Sequence, residues 1–161
     1  MTIKLKFFNY LFVLVCLIMG TGMSVHAEEQ TFTRINSIEE LNDGDRFIVV
    51  NEEYKAVLTE WNEKHFNYTS IKLEDGVATA NSFVTIFTLV KPNTNYYYLK
   101  TEDEKYLSNA SNSSTNHCNL KTTPDVTSRA TIEINKTYAS IVFKNNVSKA
   151  LLFSNGAGFS C

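Results

Sequence analysis

Apolar residues in this chain fall into short runs separated by polar turns, and that pattern predicts strands. Arg46-Phe-Ile-Val-Val50 is a compact apolar run that follows a turn at Asp43-Gly44-Asp45. Tyr68-Thr-Ser-Ile-Lys-Leu73 alternates, turns at Glu74-Asp75-Gly76 and returns as Val77-Ala-Thr-Ala80. The Asp-Gly pair is a strong hairpin signal. Phe83 to Val90 carries the strongest strand signal in the chain. Further strands are expected at Tyr96–Lys100, Thr131–Ile134 and Ser140–Lys144, with a polar loop from Ser108 to Asn119. Helical signals shrink to one turn at Ser37–Leu41, where Ser37 takes the N-cap position and Glu40 the capping-box position. Many short, closely spaced strands predict an all-β barrel or sandwich.

The N-terminus follows a different pattern. Lys4 and Lys6 precede an apolar stretch from Phe7 to Met19, and small and polar residues then lead to Val25-His26-Ala27. That order predicts a secretory signal peptide over residues 1–27, helical in its apolar part, cut after Ala27. The apolar stretch is short for a bilayer span of roughly 20 residues, and no later stretch is apolar enough for one. Residues 28–161 then form the exported module, periplasmic or extracellular, with no membrane span after cleavage.

Within that module three segments align: Arg46 to Leu58, Tyr96 to Leu107 and Ala139 to Leu152. Each carries an apolar strand, a polar turn, a lysine and a second short strand. Phe83–Val90 and Thr131–Ile134 close the first two units. The expected architecture is a β-trefoil-like barrel of three four-strand repeats, at about 44–91, 92–136 and 137–161. One such unit cannot bury its own apolar face, whereas three together close a barrel and remove sheet edges. The third unit lacks a closing strand after Cys161, so a fragment, or an open barrel needing a partner strand, is expected.

Several pieces carry a family resemblance: Asn42-Asp-Gly-Asp-Arg-Phe-Ile-Val-Val50, Phe83-Val-Thr-Ile86, Tyr97-Tyr-Leu-Lys100 with Lys105-Tyr-Leu107, Asn119-Leu-Lys-Thr122 and Phe159-Ser-Cys161. In that order they resemble a β-trefoil-like accessory module of secreted proteins from Gram-negative anaerobic bacteria, itself weakly similar to ricin-type lectin repeats. The resemblance implies a non-catalytic module attached to larger exported proteins. The Gln-x-Trp signature of ricin-type closers is absent from both visible closers.

Composition narrows the chemistry. Fifteen basic and 17 acidic residues give a net charge of −2, with no clustered basic surface of the kind nucleic acid requires. No cofactor motif, catalytic signature or metal-ligand spacing occurs, and an enzyme is not expected. His117 and Cys118 are adjacent, so on a strand they would point to opposite faces and cannot act as a base–nucleophile pair. Metal binding needs three or four ligands. The carboxylates Glu52-Glu53 and Glu102-Asp103-Glu104 fall in predicted turns and read as solvated charge. The expected exported location permits a disulfide between Cys118 and Cys161, although two cysteines 43 positions apart do not make a disulfide framework. The five Asn-x-Ser/Thr sequons read as turn composition.

A ligand site is the stronger expectation. Glycan sites combine an apolar plate with a few placed polar groups. The loop from Glu60 to Tyr68 holds such types, with Trp61, Asn62, His65 and Tyr68 as candidates. The corresponding loop of the second unit offers Asn109, Asn112 and His117, and the third offers Asn155. Trp61 also suits a core position. The expected function is a secreted non-catalytic binding module for carbohydrate or another surface ligand. The alternatives are a protein-interaction or protease-inhibitor module acting through the Ser108–Asn119 loop, or a structural spacer of a larger exported protein.

Overall fold

The computed structural model describes residues 2–6, 30–80, 83–93, 95–110, 117–135, 139–143 and 149–161. The chain is all-β, and its two helical pieces among these residues are single 3-10 turns, Ile38–Glu40 and Val126–Ser128. The strands are β1 (Thr2–Lys6), β2 (Gln30–Arg34), β3 (Arg46–Asn51), β4 (Ala56–Trp61), β5 (Phe66–Ser70), β6 (Lys72–Glu74), β7 (Val77–Ala80) and β8 (Phe87–Val90). They continue with β9 (Tyr98–Thr101), β10 (Tyr106–Asn109), β11 (Cys118–Lys121), β12 (Ala130–Ile134), β13 (Ala139–Phe143), β14 (Lys149–Ala150), β15 (Leu152–Ser154) and β16 (Gly158–Ser160).

Every ladder among the described residues is antiparallel, and the sheet curls. From β3 it runs through β8 to β9. A Tyr97–Ala130 bridge leads on to β12, which pairs with β13. The segment β1 then pairs with both β13 and β3. Three hairpins extend from this curled sheet: β3–β4, β9–β10 and β13–β14.

β3 explains why the sheet folds around two cores. Its alternation sends Phe47 and Val49 into the main core, with Phe66, Phe87, Leu99, Ile141 and Phe159. Ile48 and Val50 enter a second core with Phe32, Val57 and Ala78. A strand apolar on both faces must be covered on both. The rings of Phe47 and Phe66 both lie within 6.0 Å of Phe87, so this trio fills the centre of the main core.

Two turns are held by a buried polar residue at the end of the preceding strand. Asn51 ends β3, is buried, and its Oδ1 accepts from Tyr54 N–H at 3.0 Å. Thr101 ends β9, is buried, and its Oγ1 accepts from Lys105 N–H at 3.3 Å. Each short polar side chain satisfies a backbone donor that the turn leaves without a ladder partner. The Asp75-Gly76 hairpin forms as expected. Both residues have positive φ, 48° and 76°, and Glu74 pairs directly with Val77. That matches the twist of a two-residue type I′ turn. Ser37 and Glu40 also form the expected capping box.

Three expectations need correction. The strand predicted from Phe83 begins only at Phe87, because Thr85 is tied to the adjacent β4 instead: its N–H donates to Leu58 O at 3.1 Å and its hydroxyl to Thr59 O at 2.6 Å. The strand expected from Tyr96 begins at Tyr98, since Tyr97 makes the two-bond bridge to Ala130. Both ends of the predicted Ser108–Asn119 loop are strand, with Ser108 opposite Asn119 and Asn109 opposite Cys118. The middle of that loop lies outside the described residues. Thr2–Lys6 is strand, and the apolar stretch of the expected signal helix lies outside the described residues.

Two predictions follow from tight local geometry. Gly158 has φ +94°, and a Cβ there would sit 2.1 Å from the carbonyl oxygen of Phe66 on the neighbouring β5. Gly158→Ala is expected to cost about 3 kcal/mol or more, lowering Tm by about 10 °C in a thermal melt. Asp125 caps the second 3-10 turn. Its Oδ2 accepts from Lys121 Nζ at 2.6 Å, and its Oδ1 accepts from the Thr127 N–H and hydroxyl. The Lys121 ammonium first, and the Thr127 donors second, hold its carboxyl down at about 2. A lowered folded value means that the stabilisation is present above the unfolded value of about 4 and is lost as pH falls toward 2. Melts of Asp125→Asn across pH should show a constant deficit above pH ~4 that shrinks toward pH ~2.

Candidate ligand-binding site

The turn between β4 and β5 is built from polar side chains that bond to one another. Glu63 takes φ +75°, which reverses the chain. Asn62 N–H donates to His65 O at 3.0 Å, and His65 N–H donates back to Asn62 Oδ1 at 3.2 Å. The Asn62 amide nitrogen lies 2.8 Å from His65 Nε2 and 3.0 Å from Asn67 Oδ1. Both amide protons of Asn62 are thus used within the turn. Asn67 extends the chain of bonds, donating to Glu60 Oε1 at 3.4 Å. A polar string therefore runs from His65 through Asn62 and Asn67 to Glu60.

Trp61 is half-buried against the main core, and its indole nitrogen has no hydrogen-bond partner among the described residues. It lies at a register shift in the β4–β5 ladder, opposite Phe66. Tyr68 faces a different neighbourhood. Its ring meets Phe153 edge-on at 5.2 Å, its hydroxyl donates to Asn155 Oδ1 at 3.4 Å, and Gly156 N–H donates to that hydroxyl at 3.3 Å. Tyr54 also packs on Phe153, at 5.4 Å, so two exposed tyrosines flank one half-buried phenylalanine.

The structure thus joins Asn62 to His65, and Tyr68 to Asn155, as two separate clusters. His117 sits beside the first, because the next residue, Cys118, donates its N–H to Lys64 O at 2.9 Å. Asn109 is 1% exposed within β10, so its side chain is enclosed by protein rather than presented on a loop. Asn112 lies outside the described residues.

A cleft that sequence reasoning missed adjoins the polar string. It holds about 220 Å³. Phe66 and Ile86 give it apolar lining, Glu60, Glu102 and Asp103 bring three carboxyl groups, and Phe83 borders it. Phe83 is 73% exposed, more than any other large hydrophobic among the described residues. A second hollow of about 260 Å³ shares Glu60 and Phe83, so these two residues stand between the two spaces. Glu102 is ion-paired with Arg46 at the start of β3, and the turn that carries it is fixed by Thr101. In the sequence, Phe83 reads as one end of a strand and Glu102-Asp103 as ordinary turn charge. Only the departure of Phe83–Ile86 from the ladder brings them together.

Among the described residues no group of three His, Cys, Asp or Glu side chains is placed to hold a metal ion. No helix among them is long and apolar enough to cross a membrane. No protein-family model, curated protein or solved structure matches the chain.

The hydrogen-bond string gives Asn62 a measurable structural weight. Asn62→Ala removes three side-chain bonds and should cost about 1–3 kcal/mol. Chemical denaturation would show this as a lower midpoint with an unchanged m-value.

Proposed function

We propose that the chain is an exported, non-catalytic binding module whose ligand is a carbohydrate held in the cleft beside Phe83. The carrying observation is the pairing of that exposed ring with Glu60, Glu102 and Asp103 around a cavity of about 220 Å³. A sugar ring has an apolar face suited to an aromatic plate and hydroxyls suited to carboxylate acceptors. The cavity is below the usual range for drug-sized ligands, so it suits one sugar residue of a longer chain. Three carboxyl groups, one of them compensated by Arg46, leave the cleft acidic. Anionic sugars would be repelled there, so the ligand class is a neutral or amino sugar.

The architecture that frames this site is proposed to be a β-trefoil-like barrel. The pairing rule supports it. The first closer, β8, pairs with the opening strand of its own unit, β3, and of the next, β9. The second, β12, pairs with β13 and, through the Tyr97 bridge, reaches the start of β9. The place of a third closer, between β13 and β3, is taken by Thr2–Lys6. Residues 1–27 are proposed to act as the export signal, on the charge and hydropathy order of that segment. Cleavage would then remove Thr2–Lys6 from this place in the ladder.

A glycan array spanning neutral, amino and sialylated oligosaccharides tests the ligand class. Binding should be confined to neutral or amino sugars. In titrations with the best array ligand, Phe83→Ala and Glu60→Gln should each weaken binding at least ~10-fold, the loss of one well-placed contact, without changing Tm by more than a few degrees. An array without signal, or a Phe83→Ala protein that binds as tightly as the unaltered chain, would sink the reading.

A further inference from the structure

Two cysteines that lie far apart in sequence meet in the main core. Cys118 opens β11, and Cys161 follows β16, 43 positions later. Both are buried, at 0% and 2% exposure, and both belong to the same apolar cluster. Cys118 Sγ lies 4.0 Å from the carbonyl oxygen of Phe159, two residues before Cys161. The Cys118 side chain is the neighbouring group that acts on the Cys161 thiol. Burial first, and this neighbour second, push the Cys161 thiol well above its ordinary value. Raised in this way it is a poor nucleophile, so the pair is inert while the core stays closed.

We propose that Cys118 and Cys161 form a disulfide that locks β16 into the core. The oxidant is another disulfide, either a small-molecule one or that of an oxidoreductase. One protein thiolate attacks it, forms a mixed disulfide and releases one thiol. The second protein thiol, as its thiolate, then attacks the mixed disulfide and releases the other thiol. In balance, the two S–H bonds of Cys118 and Cys161 give one S–S bond, and two electrons and two protons reduce the oxidant to two thiols.

The position explains what the bond would do. β16 has three residues and touches the sheet through β15 and a single pair with β5, Phe159 opposite Phe66. Yet it carries Phe159, which is fully buried and packs at 4.9 Å on Phe153. So short a strand, held by so few ladder pairs, is the kind of element that opens locally. Its opening would also give the oxidant access to both sulfurs. A bridge back to β11 would hold it, and it would close a long loop, where the restriction of the unfolded chain is large.

The test uses the full chain, refolded from denaturant in a mixture of oxidised and reduced glutathione. Free thiols are then blocked with N-ethylmaleimide in denaturant, and the peptides are mapped by mass spectrometry. Mapping separates the pair from Cys16. The expected result is a cross-linked Cys118–Cys161 peptide pair, lighter by two hydrogens than the reduced peptides. The bridged protein should melt roughly 10 °C above the same protein treated with dithiothreitol. Cys161→Ala should melt at one temperature with and without dithiothreitol. The comparison of the bridged and reduced unaltered chain stands even if that variant fails to fold. Recovery of Cys118 and Cys161 both alkylated, or a bridged form no more heat-stable than the reduced one, would overturn the proposal.

Discussion

The strand from Arg46 to Asn51 is the constraint on which the structure turns. It is apolar on both faces and paired on both edges, with β1 along one and with β4 and β8 along the other. Phe47 and Val49 cannot reach the main core unless Ile48 and Val50 face the second one, because side chains alternate strictly along a strand. A slip of one register position would exchange the two sets. The second core, with Phe32, Val57 and Ala78, is therefore a consequence of β3 rather than an independent unit. The hairpin β6–β7 and strand β2 cover a face that the main sheet would otherwise leave wet.

From this strand the geometry passes outward to the candidate site. Arg46 at its first position reaches Glu102 in the β9–β10 turn. Asn51 at its last position caps the β3–β4 turn, as Thr101 caps the turn that carries Glu102. The carboxyl of Glu60, at the other side of the cleft, is held by Asn67, itself held by Asn62. Two of the three cleft carboxyl groups are thus positioned by partners on neighbouring strands or turns. A site whose acceptors are fixed before the ligand arrives avoids part of the ordering cost of binding.

The parts of this fold legible in sequence are those decided within a few residues. The Asp75-Gly76 hairpin and the Ser37 capping box are chemical statements about local backbone, and both formed as read. Strand identity was legible from alternation, but strand ends were not. The Phe83–Val90 run has uniform strand chemistry, and its break comes from Thr85 bonding to β4, a partner 26 positions away. Asn109 shows the same limit in reverse. Asparagine is ordinarily exposed, and only the pairing of β10 with β9 and β11 encloses it. The meeting of Cys118 with Cys161 depends on where β16 docks, which no spacing rule encodes.

The cleft and the cysteine pair are linked through one strand. Phe66 on β5 lines the cleft with one side of its surroundings and pairs with Phe159 of β16 on the other. Its carbonyl oxygen is also the atom that forbids a side chain at Gly158. β16 is thus pressed against β5 at backbone distance, and whatever fixes β16 also fixes the wall of the cleft. If β16 opened, Phe66 would lose its cross-strand partner, and the lining under Phe83 would lose its support. The proposed bridge at Cys161 would act on the same strand from its far end. Rigidity of β16 and shape at the proposed site are then one property, carried by the contact between β5 and β16.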